Sequence, residues 1–136
     1  MGIESFFSKQ YKLTTSEKFD EYMKALGVGL VTRKMGATVS PVISLNKDGD
    51  NYVLTSNSTF KNMTTKFQPG VEFDDETADG RKVKSTITIN GNILTEVQKD
   101  TNGKVTTLER TFSDNEVTIV CKVDDIVCTR VYKVQE

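Results

Sequence analysis

Arg110, Arg130 and Tyr132 are the residues of this chain whose types and spacing can do chemistry, and that chemistry is the capture of a small anion. A guanidinium offers a planar fork of donors that matches a carboxylate, and a phenol adds another donor. The strands that carry them can be registered by hand. VTIVCKV (117–123) and IVCTRVYKV (126–134) read as a hairpin turning at Asp124-Asp125. A two-residue turn pairs Val123 with Ile126, Cys121 with Cys128 and Ile119 with Arg130. Val117, Ile119, Cys121 and Val123 share one face, against Thr118, Val120 and Lys122 on the other, so the first set points inward. Paired residues share a face, which turns Cys128, Arg130 and Tyr132 inward as well. In KVTTLERTF (104–112), pairing Phe112 with Val117 sets Arg110 opposite Ile119 and inward too. The two arginines then stand about 10 Å apart at Cα, two strand spacings, and their side chains can converge. Glu109 falls on the other face, and no acidic residue shares these inward positions. A guanidinium keeps its charge and is costly to bury alone, so the interior must supply water or an anion. A slip of one residue in register would instead place both arginines in solvent.

Other chemistries are excluded. The chain has no histidine, which removes Ser-His-Asp and Cys-His nucleophiles and the usual His-bearing zinc sites. Neither a general base nor an inward carboxylate pair is evident, so an enzyme is disfavoured. Two cysteines are too few for a disulfide framework or a Cys-only zinc site. Their cross-strand Cα separation would admit a disulfide; in a reducing compartment free thiols are the expectation. With 18 basic and 19 acidic residues and a net charge of −1, the chain lacks the basic excess of a nucleic-acid binder. The N-terminal MGIESFFSKQ has no basic region followed by an apolar stretch, so it does not read as a signal peptide. Position 6 is Phe where myristoylation of Gly2 wants Ser or Thr, and no apolar run approaches a membrane span. The sequons at Asn57 and Asn62 mean little without a secretion signal. The expectation is one soluble, cytoplasmic, monomeric domain covering all 136 residues.

The elements that must position the arginines are mostly strands. One helical region is legible. Thr14 and Glu17 in TTSE form a capping box that predicts a helix over 14–26, with Phe19, Tyr22, Met23 and Leu26 as its apolar stripe and Gly27 at its end. A second short helix is predicted from Gly29 to Met35, stopped by Gly36. From about Val39 onward, short runs rich in Val, Ile, Thr and Phe alternate with DGD, PG, DG, NG and NG at roughly ten-residue spacing, the rhythm of an antiparallel meander. Primed turns suit the Asn-Gly pairs. Many strands with a single apolar face predict a sandwich or a barrel, and the lack of helices between them disfavours a parallel sheet.

Several segments together resemble the intracellular fatty-acid-binding protein family, over essentially the whole chain. They are YKL…KFDEYMKALGVG (Tyr11–Gly29), VTRK (Val31–Lys34), STFKN (Ser58–Asn62), GVEFD (Gly70–Asp74), ADGRKVKS (Ala78–Ser85) and CTRVY (Cys128–Tyr132). Departures are Lys9 for a small residue, Lys18 where Asn is common, and Tyr11 for the usual Trp. The resemblance implies an all-β, ten-stranded antiparallel up-and-down barrel with a helix-turn-helix lid, about 14–36, between the first two strands. It implies a single lipid in an internal, partly watery cavity, with no cofactor, its carboxylate meeting a triad that falls on Arg110, Arg130 and Tyr132. Arg110 would touch the head group directly or through water. Phe60 stands at the family's portal phenylalanine, with Ala78 and Asp79 in the turn bordering that portal. Phe19 and Met23 would line the underside of the lid, and Ile119 and Cys121 would face the cavity beside the triad; each is also compatible with plain core packing.

The function implied is a non-enzymatic cytosolic carrier of one long-chain fatty acid. Arginine at both positions, where retinol binders tend to carry Gln, favours a carboxylate, and retinoic acid or another hydrophobic carboxylate is the alternative within the fold. A β-barrel interaction module, for instance an oligonucleotide binder, is the alternative of a different class; near-neutral charge counts against it. Lys24, Arg33, Lys34 and Lys61 would form a basic rim for transient contact with anionic membranes, although Glu17, Asp20 and Glu21 lie alongside.

Overall fold

The computed structural model describes residues 2–135. A 3-10 turn, Ile3–Phe6, leads into β1 (Tyr11–Glu17), two helices, α1 (Phe19–Ala25) and α2 (Leu30–Thr38), and nine further strands. These are β2 (Val42–Asp48), β3 (Asn51–Asn57), β4 (Asn62–Phe67), β5 (Phe73–Glu76), β6 (Lys82–Asn90), β7 (Ile93–Asp100), β8 (Val105–Phe112), β9 (Glu116–Val123) and β10 (Ile126–Val134). They form one antiparallel sheet in the order β4-β3-β2-β1-β10-β9-β8-β7-β6-β5. Strands adjacent in sequence pair within each half, β1 and β2 only briefly across the inserted helices, and the β1–β10 ladder joins the halves. The sheet curls into a nearly closed barrel. Its two edges, β4 and β5, share no ladder, so the expected barrel carries an unpaired seam. No helix among the described residues is long and apolar enough to cross a membrane.

The register expected for the last three strands holds. Cys121 opposes Cys128, Ile119 opposes Arg130 on one side and Arg110 on the other, and Phe112 opposes Val117. The one-residue slip is excluded. The NG turn between β6 and β7 differs in detail: Asn90 pairs with Ile93, so Gly91 and Asn92 are the central residues. Only Gly91 has positive φ, at 62°, the pattern of a II′ turn led by Gly.

Two helix expectations need correction. Thr14 and Glu17 do not cap α1, because both belong to β1, where ladder bonds to β10 outcompete a local cap. Glu17 pairs with Thr129, and Thr14 is the extra residue of a bulge between Leu13 and Thr15. The Thr14 hydroxyl donates to the Val131 carbonyl at 3.0 Å. The chain instead swings into α1 through Lys18, held at φ 61°. Nor does Gly36 stop the second helix, which runs on to Thr38. Gly36 faces α1, where a Cβ would meet the Met23 sulfur at 3.4 Å and the Phe19 ring at 3.6 Å, ordinary contact distances.

Helices of seven and nine residues are too short to persist alone. They are tied to each other and to the barrel. Arg33 pairs with Asp20 at 3.0 Å and donates to the Val28 carbonyl at 2.7 Å. The Lys104 ammonium donates to the Ala25 carbonyl at 2.7 Å and pairs with Asp124 at 3.2 Å, pinning the end of α1 beside the β9–β10 turn. At the β8–β9 end, Ile3 and Phe6 are buried, Phe6 stacks on Phe112 and Tyr11 meets Phe112 edge-on. The Tyr11 hydroxyl donates to the Ser113 carbonyl at 2.9 Å. This aromatic plug seals one end of the barrel, and the helices cover the other.

Candidate functional site

Between plug and helices lies a cavity of about 280 Å³. Phe19 and Met23 reach it from α1, Phe60 from the β3–β4 turn, and Ala78 and Asp79 from the β5–β6 turn. Arg110, Ile119, Cys121, Arg130 and Tyr132 reach it from β8, β9 and β10. Every site residue drawn from the sequence therefore lies on one wall or another of the same space. Val28, Ile43, Leu54 and Leu108 make much of the remainder apolar.

Arg130 and Tyr132 are 6% and 5% exposed. The Arg130 Nη1 donates to the Ser16 hydroxyl at 3.2 Å, and its guanidinium carbon lies 3.7 Å from the centre of the Phe19 ring and 6.0 Å from that of Tyr132. Among the described residues no carboxylate reaches ion-pair distance of Arg130. A cation stacked on an aromatic face keeps some electrostatic support without being neutralised.

Arg110 differs. Its Nη1 donates to Glu96 Oε1 at 2.9 Å, and the second oxygen of Glu96 accepts from the Gln98 amide at 2.9 Å. The expectation that no acidic residue shares the inward space is therefore overturned. Glu96 is 4% exposed and comes from β7, whose register places Leu94 opposite Arg110 and Glu96 opposite Leu108. The residue was hidden because apolar alternation in ILTEVQKD suggests the wrong face: Val97 is 41% exposed while Glu96 is inside. Extending the register one strand beyond Arg110 is the signal that finds it. Beyond it, Ser85 opposes Gln98, and its hydroxyl is buried with no partner among the described residues.

The local charges shift their neighbours. Burial raises the Asp75 carboxyl above its usual range, and nearby Glu96 adds to this against the Glu76 amide and Arg110. Burial pushes the Tyr22 phenol well up, helped by Cys121. The two cysteines are free thiols. A hydrogen bond from Cys128 holds the Cys121 thiol below its ordinary value, with Arg110 and Arg130 assisting against burial. The same bond, with burial, raises Cys128.

At the rim, both Asp79 oxygens are engaged, by the Thr77 hydroxyl at 2.6 Å and by Arg81 at 2.8 Å. The Ser58 hydroxyl accepts from the Phe60 and Lys61 amides, shaping that turn. Lys24, Lys34 and Lys61 are exposed, whereas Arg33 is spent on Asp20. Leu30, Val31 and Met35 of α2 are also exposed.

Residues 9–135 match the lipocalin / cytosolic fatty-acid binding protein family. A muscle fatty acid-binding protein of Schistocerca gregaria is 47% identical over 135 residues, 98% of this chain and 99% of that protein. The crystal structure of a fatty acid-binding protein from Drosophila melanogaster brain tissue superposes with a TM-score of 0.89 at 55% identity, covering 94% of this chain and 98% of that one. A Schistosoma mansoni fatty acid binding protein in complex with arachidonic acid gives a TM-score of 0.93 at 37% identity, with 99% and 100% covered.

Proposed function

This chain belongs to the lipocalin / cytosolic fatty-acid binding protein family, and we propose that it is a monomeric cytosolic carrier of one long-chain fatty acid. It is a lipid carrier and not an enzyme. In the proposed complex, Arg130 and Tyr132 hold the carboxylate, and Arg110 contributes the donors that Glu96 leaves free, directly or through water. The alkyl chain lies against Phe19, Met23, Ile119 and the apolar wall, gaining about 0.8 kcal/mol per buried CH₂. No cofactor is involved.

The reading rests above all on Arg130, a nearly buried cation in the cavity with no carboxylate partner among the described residues. Such a group is costly unless an anion or water answers it. The relatives support a fatty acid, since the Schistosoma protein is solved with arachidonic acid. Retinoic acid would present the same carboxylate to Arg130.

The helical segment acts as the lid, and the lipid passes between it and the turns bearing Phe60 and Ala78, beside the unpaired β4–β5 seam. Lys24, Lys34 and Lys61, with the apolar Leu30, Val31 and Met35, suit transient docking of this end on an anionic membrane. Extraction of the purified protein, with mass spectrometry of what it holds, tests the substrate class. Long-chain fatty acids at up to one per chain are expected; retinoids would favour the alternative, and neutral lipids alone would refute a carboxylate site.

A further inference from the structure

Glu96 is a buried anion in a cavity read as the receptor for an anion, and a carboxylate carrier does not require it. Its two oxygens are both committed, one to Arg110 and one to Gln98, each at 2.9 Å. Its side chain is 5% exposed and that of Arg110 is 12% exposed, so solvent screens the pair poorly. The pair is neutral as a unit. Elsewhere in the cavity Arg81 is matched by Asp79 at 2.8 Å. Asp75, on the same wall, is an acid held above its usual range by burial and supplies no positive charge. One interior cation remains without a carboxylate among the described residues, Arg130.

We propose that Glu96 is the specificity-determining residue that limits the cavity to lipids whose head group carries a single negative charge. The proposal rests on the carboxylate-carrier reading and deepens it. A monocarboxylate balances Arg130. A head group with two charges, such as a phosphate monoester, would bring a second charge that nothing neutralises, because Glu96 already balances the charge of Arg110 even though some of its donors stay free. An uncompensated charge in a desolvated site is strongly disfavoured. At an effective dielectric of about 20 and a separation on the order of 10 Å, one such interaction is worth roughly tenfold in affinity. Removing the Glu96 charge releases Arg110 to answer the second negative charge. Glu96 thus works by rejecting the wrong head group as much as by improving the fit of the right one.

The test uses the full chain and three ligands of sixteen carbons, palmitate, hexadecyl phosphate and hexadecanol, allowing for the one extra CH₂ of the hexadecyl tails at about 0.8 kcal/mol. At about pH 8 the phosphate monoester carries two charges, and at about pH 5 it carries one. Wild type is expected to bind palmitate at least about tenfold more tightly than hexadecyl phosphate at the higher pH. That gap should shrink at the lower pH, with palmitate measured in parallel as the control. Glu96→Gln is expected to close the gap at the higher pH chiefly by strengthening hexadecyl phosphate, by a much larger factor than it changes palmitate or hexadecanol. The wild-type pH comparison needs no variant, so the proposal is testable even if Glu96→Gln folds poorly. Equal binding of palmitate and hexadecyl phosphate by wild type at both pH values would overturn the role of Glu96 alone. Equal binding of palmitate and hexadecanol would overturn the carboxylate reading and this inference with it.

Discussion

The guanidinium carbon of Arg130 lies 3.7 Å from the centre of the Phe19 ring, so the cation proposed to hold the head group is stacked on the first helix. The proposed head-group site and the helix that covers the cavity are thereby in direct contact. A carboxylate arriving at Arg130 competes with this contact or adds to it, and in either case α1 responds.

Phe19→Ala is therefore expected to destabilise the ligand-free protein by about 1–2 kcal/mol, from the lost ring–cation contact and its packing. The loss should be smaller in the fatty-acid complex, where the carboxylate supports Arg130. Urea unfolding with and without palmitate measures both. Equal losses in the two states would show that the stacking has no bearing on head-group capture.

The arginines were legible in the sequence because a two-residue turn at Asp124-Asp125 fixes the register of β9 and β10, and a one-residue slip would have exposed Val117, Ile119 and Val123. Glu96 was not, since β7 puts Glu96 and Gln98 inside and leaves Val97 outside, a pattern that apolar alternation reads backwards. Thr14 and Glu17 look like a cap because a capping box is a local signal; the ladder to β10 is not local and prevails. Gly36 reads as a stop by composition, yet α2 runs through it to Thr38, facing Phe19 and Met23 of α1. The Ile3–Phe6 plug is too short to carry a periodicity at all.

Asp75 sets a pH dependence. Burial raises its folded-state pKa, so its favourable contribution is present below the unfolded carboxyl pKa and is lost as pH rises through the raised folded value. At neutral pH the ionised group costs stability. Asp75→Asn, which keeps an oxygen for the Glu76 amide, should be more stable than wild type at neutral pH by a fraction of a kcal/mol. The advantage should vanish below about pH 4, where wild type is protonated too. Denaturant midpoints across that range decide it; an advantage independent of pH would assign the gain to something other than the charge.

Lipid loading should protect the amides of α2 and those around Lys61 and Asp79 more than the rest of the barrel. These segments flank the unpaired β4–β5 seam and the short helices, where opening costs least. Hydrogen exchange on ligand-free and loaded protein reads this directly. Protection gained uniformly, or mainly at the Asp124 turn, would place the portal elsewhere.

The central claim is that Arg130 waits in the cavity for a carboxylate, and titration calorimetry of palmitate into wild type and Arg130→Gln tests it most directly. The variant should lose on the order of 1.5–3 kcal/mol of affinity, roughly ten- to hundredfold. Its ligand-free unfolding midpoint should fall little or rise, because a buried cation has been removed. Unchanged palmitate affinity in a folded Arg130→Gln protein would contradict the account and put the head group somewhere else.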